Sequence, residues 1–128
     1  MSELTFTNGH ALLIGVGADL PVTVEDATAL RSVLIDPRRA AYPQEQVQLL
    51  TEGAATRECI LDAFGHLARR VANVTDATIV VYFSGHGGRI TRRGQPDQYF
   101  LVPYGFHPAR RAETTISDHE FTDCIQAL

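Results

Sequence analysis

The feature that most constrains the fold is a short apolar segment that ends in a histidine set among glycines. It reads TIVVYFSGHGG and spans residues 78–88. Its apolar run, residues 79–83, is too short to cross a membrane and too rich in β-branched and aromatic side chains to favour a helix. The segment therefore predicts a strand buried on both faces, as in a parallel sheet. His86 follows the carboxyl end of this strand, the edge at which open α/β sheets bind ligands, so its imidazole is a candidate general base.

Strand-like and helix-like segments alternate along the rest of the chain, which predicts an α/β fold with a mostly parallel sheet. Thr23 is a possible N-cap of the first helix, and Thr56 is expected to cap the second. Ser117 and Glu120 form a capping box at the start of the last helix. Strands are expected at 11–16, 47–50 and 99–102, helices at 24–35, 57–71 and from 118 onward, and loops at 87–97 and 105–115.

Composition excludes several classes of protein. The chain has 128 residues, which is enough for one domain at most. A protein that binds nucleic acid usually carries a cluster of basic residues. This chain has a net charge of -4 and its arginine pairs are scattered, so nucleic-acid binding is not expected. The apolar stretches are far shorter than the roughly 20 residues that span a bilayer. Two cysteines and the lack of an N-terminal signal segment indicate a reducing compartment, so we expect a cytoplasmic protein that contacts neither nucleic acid nor membrane.

Metal-binding patterns are also missing from the sequence. The chain contains no Cys-x-x-Cys, so a structural zinc is not expected. The acidic residues Asp97, Glu113 and Asp118 are too dispersed to define a calcium loop, which leaves calcium dependence open. We expect no cofactor. An H-x-x-x-H spacing is absent among the other histidines, His10, His66, His107 and His119.

Several segments, taken in their order, resemble the large-subunit portion of caspase-like cysteine peptidases. The bacterial branch near metacaspases and paracaspases is the most similar. The most specific element is SGHG at the end of an apolar strand. The resemblance implies a three-layer α/β/α sandwich with a mostly parallel sheet, of which residues 1–128 form the N-terminal, histidine-bearing and incomplete portion. The segments are ALLIGVG at 11–17, EDATAL at 25–30, LLTEGAATR at 49–57, YFSGHGG at 82–88 and YFLVPYG at 99–105.

The resemblance implies a cysteine endopeptidase in which His86 activates a thiol for attack on a peptide carbonyl and then protonates the leaving amine. The backbone N–H of Gly87 would donate to the oxyanion. The nucleophile of this family follows the histidine by about 50 residues, which lies beyond Leu128. A C-terminal continuation or a companion chain is therefore expected to supply the cysteine. The last helix would lead to a further parallel strand, so the flank of the 78–83 strand is expected to be open.

The two cysteines of the chain do not fit the role of nucleophile. Cys124 falls with Phe121, Ile125 and Leu128 on the apolar stripe of a predicted helix, which indicates a core position. Cys59 lies at the start of a helix with no histidine near it in sequence, and we expect a structural role for it. The chain thus carries the base and half of the oxyanion hole without the nucleophile.

The resemblance also narrows the substrate. Family members that cleave after aspartate bind it with an arginine between the first strand and the first helix. Residues 17–24 contain no arginine, so cleavage after aspartate is not expected. Members that cleave after arginine or lysine use an acid that matches Asp26 in Glu25-Asp26-Ala27, so Asp26 is a candidate floor for a basic side chain. Its alternative role is electrostatic, because an acid in the first turn of a helix is favoured by the helix dipole.

Two functions of other classes stay open. One is a catalytically inactive caspase-like module that docks a partner. The other is a nucleotide-binding α/β domain, for which GVG at 15–17 is a weak signal because the third glycine of a dinucleotide turn is missing. Without the family context, a single histidine after a strand is more often a structural or surface residue.

Overall fold

A three-stranded parallel sheet forms the centre of the fold. The computed structural model describes residues 4–128. The strand order is β2-β1-β3, and β1 pairs in parallel with both neighbours. The α/β fold and the parallel sheet predicted from the sequence are confirmed. The elements are β1 (Gly9–Gly15), α1 (Val22–Ile35), β2 (Val47–Thr51), α2 (Arg57–Val71) and β3 (Thr78–Ser84).

The predicted burial of β3 on both faces is wrong. All seven residues of β1 are buried, whereas β3 begins at an exposed Thr78 and its other residues are only partly buried. The physical reason is position in the sheet. Within residues 4–128, β3 has β1 as its only sheet neighbour, so its second edge is open, as expected from the sequence.

The starts of the two long helices differ in how well the sequence predicted them. Thr56 accepts a hydrogen bond from the Cys59 N–H at 3.2 Å, which confirms it as the N-cap of α2. Thr23 is not a cap, because α1 already begins at Val22. Its buried hydroxyl instead accepts from the Gly17 N–H at 2.8 Å and donates to the Leu20 carbonyl.

The segment after β3 forms a second, antiparallel sheet rather than a long loop. Its strands are β4 (His86–Ile90), β5 (Gln98–Val102) and β6 (Ile116–Ser117), in the order β4-β5-β6. The predicted loop at 87–97 is therefore wrong over residues 87–90. Gly88 lies opposite Phe100 in this pairing, and a Cβ there would lie 2.2 Å from the Phe100 ring, so glycine lets that ring pack over β4.

The C-terminal third is more helical than predicted. The expected loop at 105–115 contains a 3-10 turn, Pro108–Arg110, and a short helix, α3 (Arg111–Thr114). The His107 side chain starts the turn by accepting from the Ala109 N–H at 3.2 Å. The last helix, α4 (Asp118–Gln126), has both hydrogen bonds of the predicted capping box.

The core consists of two clusters that meet at β1. Alternate residues of a strand point to opposite faces. Leu12 and Ile14 pack in one cluster with buried residues of α2, while Ala11 and Leu13 pack in the other with Leu34 of α1. Helix α4 joins the first cluster through partly buried side chains. Within residues 4–128, no helix has the combined length and apolarity that crossing a membrane requires.

Candidate active site

His86 lies at the junction between β3 and β4. Ser84 ends β3, His86 begins β4, and Gly85 separates them. A Cβ on Gly85 would come within 2.8 Å of a Val16 methyl, so glycine lets the β3 end lie close to the segment that follows β1. The His86 side chain is 52% exposed, which leaves the imidazole accessible at the carboxyl edge of the parallel sheet.

A tight turn after β1 brings a carboxylate to the same edge. Gly17 has φ +74, a conformation that glycine adopts without steric cost, and Ala18 follows with φ 53. The Leu20 N–H donates to the Gly17 carbonyl at 2.8 Å and closes the turn. The turn presents Asp19 towards His86.

Asp19 and His86 form a hydrogen-bonded pair. The distances from His86 Nε2 to Asp19 Oδ2 and Oδ1 are 2.9 and 3.1 Å. The hydrogen bond with His86 lowers the pKa of the Asp19 carboxyl below its ordinary value and outweighs the opposing effect of burial. Asp19 is therefore ionised near neutral pH and can only accept hydrogen bonds.

Sequence reasoning missed Asp19, although a signal was present. The parallel strands β1 and β3 end at the same edge of the sheet, since Gly15 is paired with Ser84. A polar residue in the turn after β1 was therefore a candidate neighbour of His86.

A cavity of about 490 Å³ opens beside the pair. Asp19 and His86 form its polar side. The rest of the lining is largely apolar and is held to the body of the protein, because the Tyr104 N–H donates to the Ala55 carbonyl at 2.9 Å. The cavity can therefore receive a side chain next to a base. This apolar part of the lining includes Val102, Pro103, Tyr104 and Phe106.

Gly87 is exposed and stands next to His86 in β4. A Cβ on Gly87 would lie 3.5 Å from the Phe100 carbonyl oxygen, which is an ordinary contact. The packing that requires glycine at Gly88 does not require it at Gly87. The absence of a side chain at Gly87 instead leaves the backbone beside the imidazole open to a ligand.

The structure does not bring Asp26 into this cavity. Asp26 is exposed on α1 and is not among the described residues that line the space around His86. The acid in the first turn of α1 is Glu25, so Asp26 lies beyond the turn in which the helix dipole acts most strongly. The dipole is therefore a weak explanation for Asp26.

The cysteines lie outside the cavity lining as described. Cys124 is half-buried and packs against the first core cluster, so its predicted core position is confirmed only in part. Burial raises the pKa of its thiol, and Glu120 and Asp123 add to that effect, so the reactive thiolate is disfavoured. Ile125, predicted on the same buried stripe, is 39% exposed because α4 turns that side to solvent. Cys59 is exposed on α2, contrary to a structural role in the core.

No group of three or more histidine, cysteine, aspartate or glutamate side chains in residues 4–128 is arranged as metal ligands would be.

Comparison with protein families shows that the family model described as the caspase domain, Peptidase_C14, matches residues 8–126. The match extends from the residue before β1 to the end of α4. Among curated proteins, none matches the chain.

Proposed function

The chain belongs to the caspase-domain family, and from that premise we propose that it is the histidine-bearing part of a cysteine endopeptidase. One observation carries the proposal: the His86 imidazole is exposed at the carboxyl edge of the sheet, in a cavity, with a carboxylate on one ring nitrogen. A histidine so placed can accept a proton at one nitrogen while the other is held. The proposed reaction needs no cofactor. A free cysteine thiol persists in a reducing compartment, so we propose that the protein is cytoplasmic.

In the proposed reaction, His86 takes the proton of a cysteine thiol as the sulfur attacks the carbonyl carbon of the substrate. The carbonyl oxygen becomes an oxyanion, to which the Gly87 N–H donates. His86 then gives its proton to the departing amine, which leaves a thioester. Water, deprotonated by His86, hydrolyses the thioester and restores the thiol.

We propose that the thiol comes from a strand added beside β3, supplied by a continuation of the chain or a companion chain. Two observations support this. Within the described residues the second edge of β3 is unpaired, and unpaired edges are prone to accept a strand. A largely apolar cavity of about 380 Å³ is lined by side chains of β3, β5 and α4, among them Val81, Phe83 and Phe121. Such a strand would widen the parallel sheet, and with α1 and α2 on its two faces the domain would form the three-layer sandwich that we propose.

We also propose that the substrate residue before the cleaved bond is basic and that Asp26 binds it. The proposal rests on the match of Asp26 to the family's acidic position and on its exposure on α1, which leaves the carboxylate accessible to a cation, although Asp26 does not line the cavity beside His86. Asp26→Ala is expected to reduce cleavage after arginine and lysine by lowering binding of the cation. The measurement is kcat/KM on peptides that differ only in that residue, with the exposed Asp62→Ala of α2 as the matched control. Unchanged selectivity in Asp26→Ala would remove Asp26 from the pocket.

The function is tested in the assembly that contains the cysteine segment, with a peptide probe that carries a thiol-reactive group. We expect the assembly to be labelled and His86→Ala to lose labelling, while the exposed histidine variant His119→Ala keeps it. An unlabelled wild-type assembly would contradict the proposal and favour an inactive interaction module.

A further inference from the structure

We propose that Asp19 is a positioning residue, which holds the proton of the neutral His86 ring on Nε2 and so leaves Nδ1 as the basic nitrogen. The role in catalysis rests on the proposed function, since it requires His86 to be the base. The pairing itself does not.

The first step of the argument is the geometry of the pair. Both carboxylate oxygens of Asp19 lie within hydrogen-bond distance of one atom, His86 Nε2, at 2.9 and 3.1 Å. A carboxylate can only accept, so the proton between the two residues belongs to Nε2. A neutral imidazole carries one ring proton, and the lone pair is then on Nδ1.

The second step is that the acceptor is held in place. The turn that carries Asp19 is closed by the hydrogen bond from the Leu20 N–H to the Gly17 carbonyl. The buried Thr23 hydroxyl accepts from the Gly17 N–H at 2.8 Å and donates to the Leu20 carbonyl at 2.7 Å. Thr23 thus ties both ends of the turn to the start of α1, and the position of Asp19 is set by buried contacts rather than by the exposed pair alone.

The third step concerns competing charges. Of the residues that line the cavity, Tyr104 is the one titratable group besides Asp19 and His86. The lining as described thus offers Asp19 no arginine or lysine to pair with. The carboxylate is therefore available to the imidazole.

In the reaction, the contact with Asp19 fixes the orientation of the His86 ring. When Nδ1 accepts the thiol proton, the ring becomes an imidazolium that still donates from Nε2 to Asp19, and the Nδ1 proton later passes to the leaving amine. The Asp19 and His86 side chains are 72% and 52% exposed, so water screens their charge attraction. Asp19 therefore acts mainly by fixing the ring and its proton rather than by a strong ion pair.

The position of the proton is measured directly by nitrogen NMR of histidine-labelled protein, at a pH where His86 is neutral. We expect the wild-type ring to be almost entirely the Nε2–H tautomer, and Asp19→Ala to shift the ratio towards the mixture of both tautomers that a free histidine side chain shows in water. The exposed control Asp62→Asn should match the wild type. A wild-type ring protonated on Nδ1, or a tautomer unchanged by Asp19→Ala, would overturn the proposal.

Kinetics of the assembly with the cysteine segment separate positioning from substrate binding. General-base catalysis contributes about 10²–10⁴-fold, so loss of ring orientation in Asp19→Ala should lower kcat by roughly 10²-fold with little change in KM. Asp19→Glu, which keeps a carboxylate, should retain more kcat than Asp19→Ala. A rise in KM for basic substrates with kcat unchanged would overturn the proposal and make Asp19 a substrate-binding residue.

The two measurements also separate this proposal from the proposed function. An assembly in which the wild type does not cleave peptides would refute the peptidase function, and with it a catalytic role for Asp19. The tautomer of His86 in the wild type and in Asp19→Ala would still support or refute the pairing.

Discussion

Two histidines at opposite edges of the parallel sheet have opposite environments. His10, near the amino end of β1, is 4% exposed, and its Nδ1 has no hydrogen-bond partner within the described residues. His86, beyond the carboxyl end of β3, is exposed, and its Nε2 is bonded to Asp19. Burial of the His10 ring, with its Nδ1 unpartnered, disfavours the protonated form, whereas an accessible ring with one nitrogen held can exchange protons. The amino edge of the sheet is therefore part of the packed interior, and the carboxyl edge is suited to chemistry.

The largest expected effect comes from removing the ring at the carboxyl edge. His86→Ala should lower peptidase activity of the assembly by about 10²–10⁴-fold, since it removes the general base. The free energy of unfolding should change by no more than about 0.5 kcal/mol, because the side chain is exposed. Activity assays and urea denaturation of the same variant check both parts. A large loss of stability would remove the distinction between the two edges.

A change in β1 should have the reverse effect. Leu13 of β1 is fully buried and packs in the same cluster as Leu34 of α1. Leu13→Ala should therefore lower the free energy of unfolding by about 2–5 kcal/mol. On the more open strand, Val81→Ala in β3 should cost less, both because valine loses fewer carbon atoms than leucine and because Val81 is only partly buried. Chemical denaturation of the two variants measures the difference. Equal losses would contradict the comparison of the two strands.

The smallest effect is expected at acid pH and concerns His10. Burial lowers the pKa of His10 from its ordinary 6.5, and the positive charge of Arg70 lowers it further. The unfolded chain therefore binds this proton more readily, so the contribution of His10 to stability is complete above pH 6.5 and is lost as the pH falls towards the folded pKa.

We expect His10→Leu to flatten the decrease in stability below pH 6.5. Denaturation midpoints on both sides of that pH test this. The exposed variant His119→Leu is the control and should keep the wild-type slope. If His10→Leu kept that slope as well, another group would be responsible for it.

The sequence predicted what depends on local pattern and missed what depends on tertiary contact. The apolar runs of β1 and β3 and the capping box of Ser117 and Glu120 were legible because period and cap chemistry are local. The β4 strand was missed because it forms by pairing with β5, and its glycines, one of which lies under the Phe100 ring of β5, carry no strand signal of their own. Nothing in the local sequence around such a glycine distinguishes a strand from a loop.

The candidate site was predicted only in part for the same reason. His86 was identified from its place after an apolar strand, and the structure places it at the sheet edge as expected. Asp19 is 67 residues away in sequence and meets His86 only because β1 and β3 lie side by side. Thr23 was predicted as a cap, since a threonine before an apolar helical pattern has the same local signature whether it caps the helix or braces the turn before it.

The central claim is that His86 serves as the base for a cysteine thiol. It is tested most directly by the pH dependence of alkylation of that thiol in the assembled protein, measured in the wild type and in His86→Ala. We predict that the wild-type thiol reacts at pH values well below about 8.5, the ordinary thiol pKa, and that His86→Ala restores ordinary behaviour. Identical pH profiles for the two proteins would contradict the account.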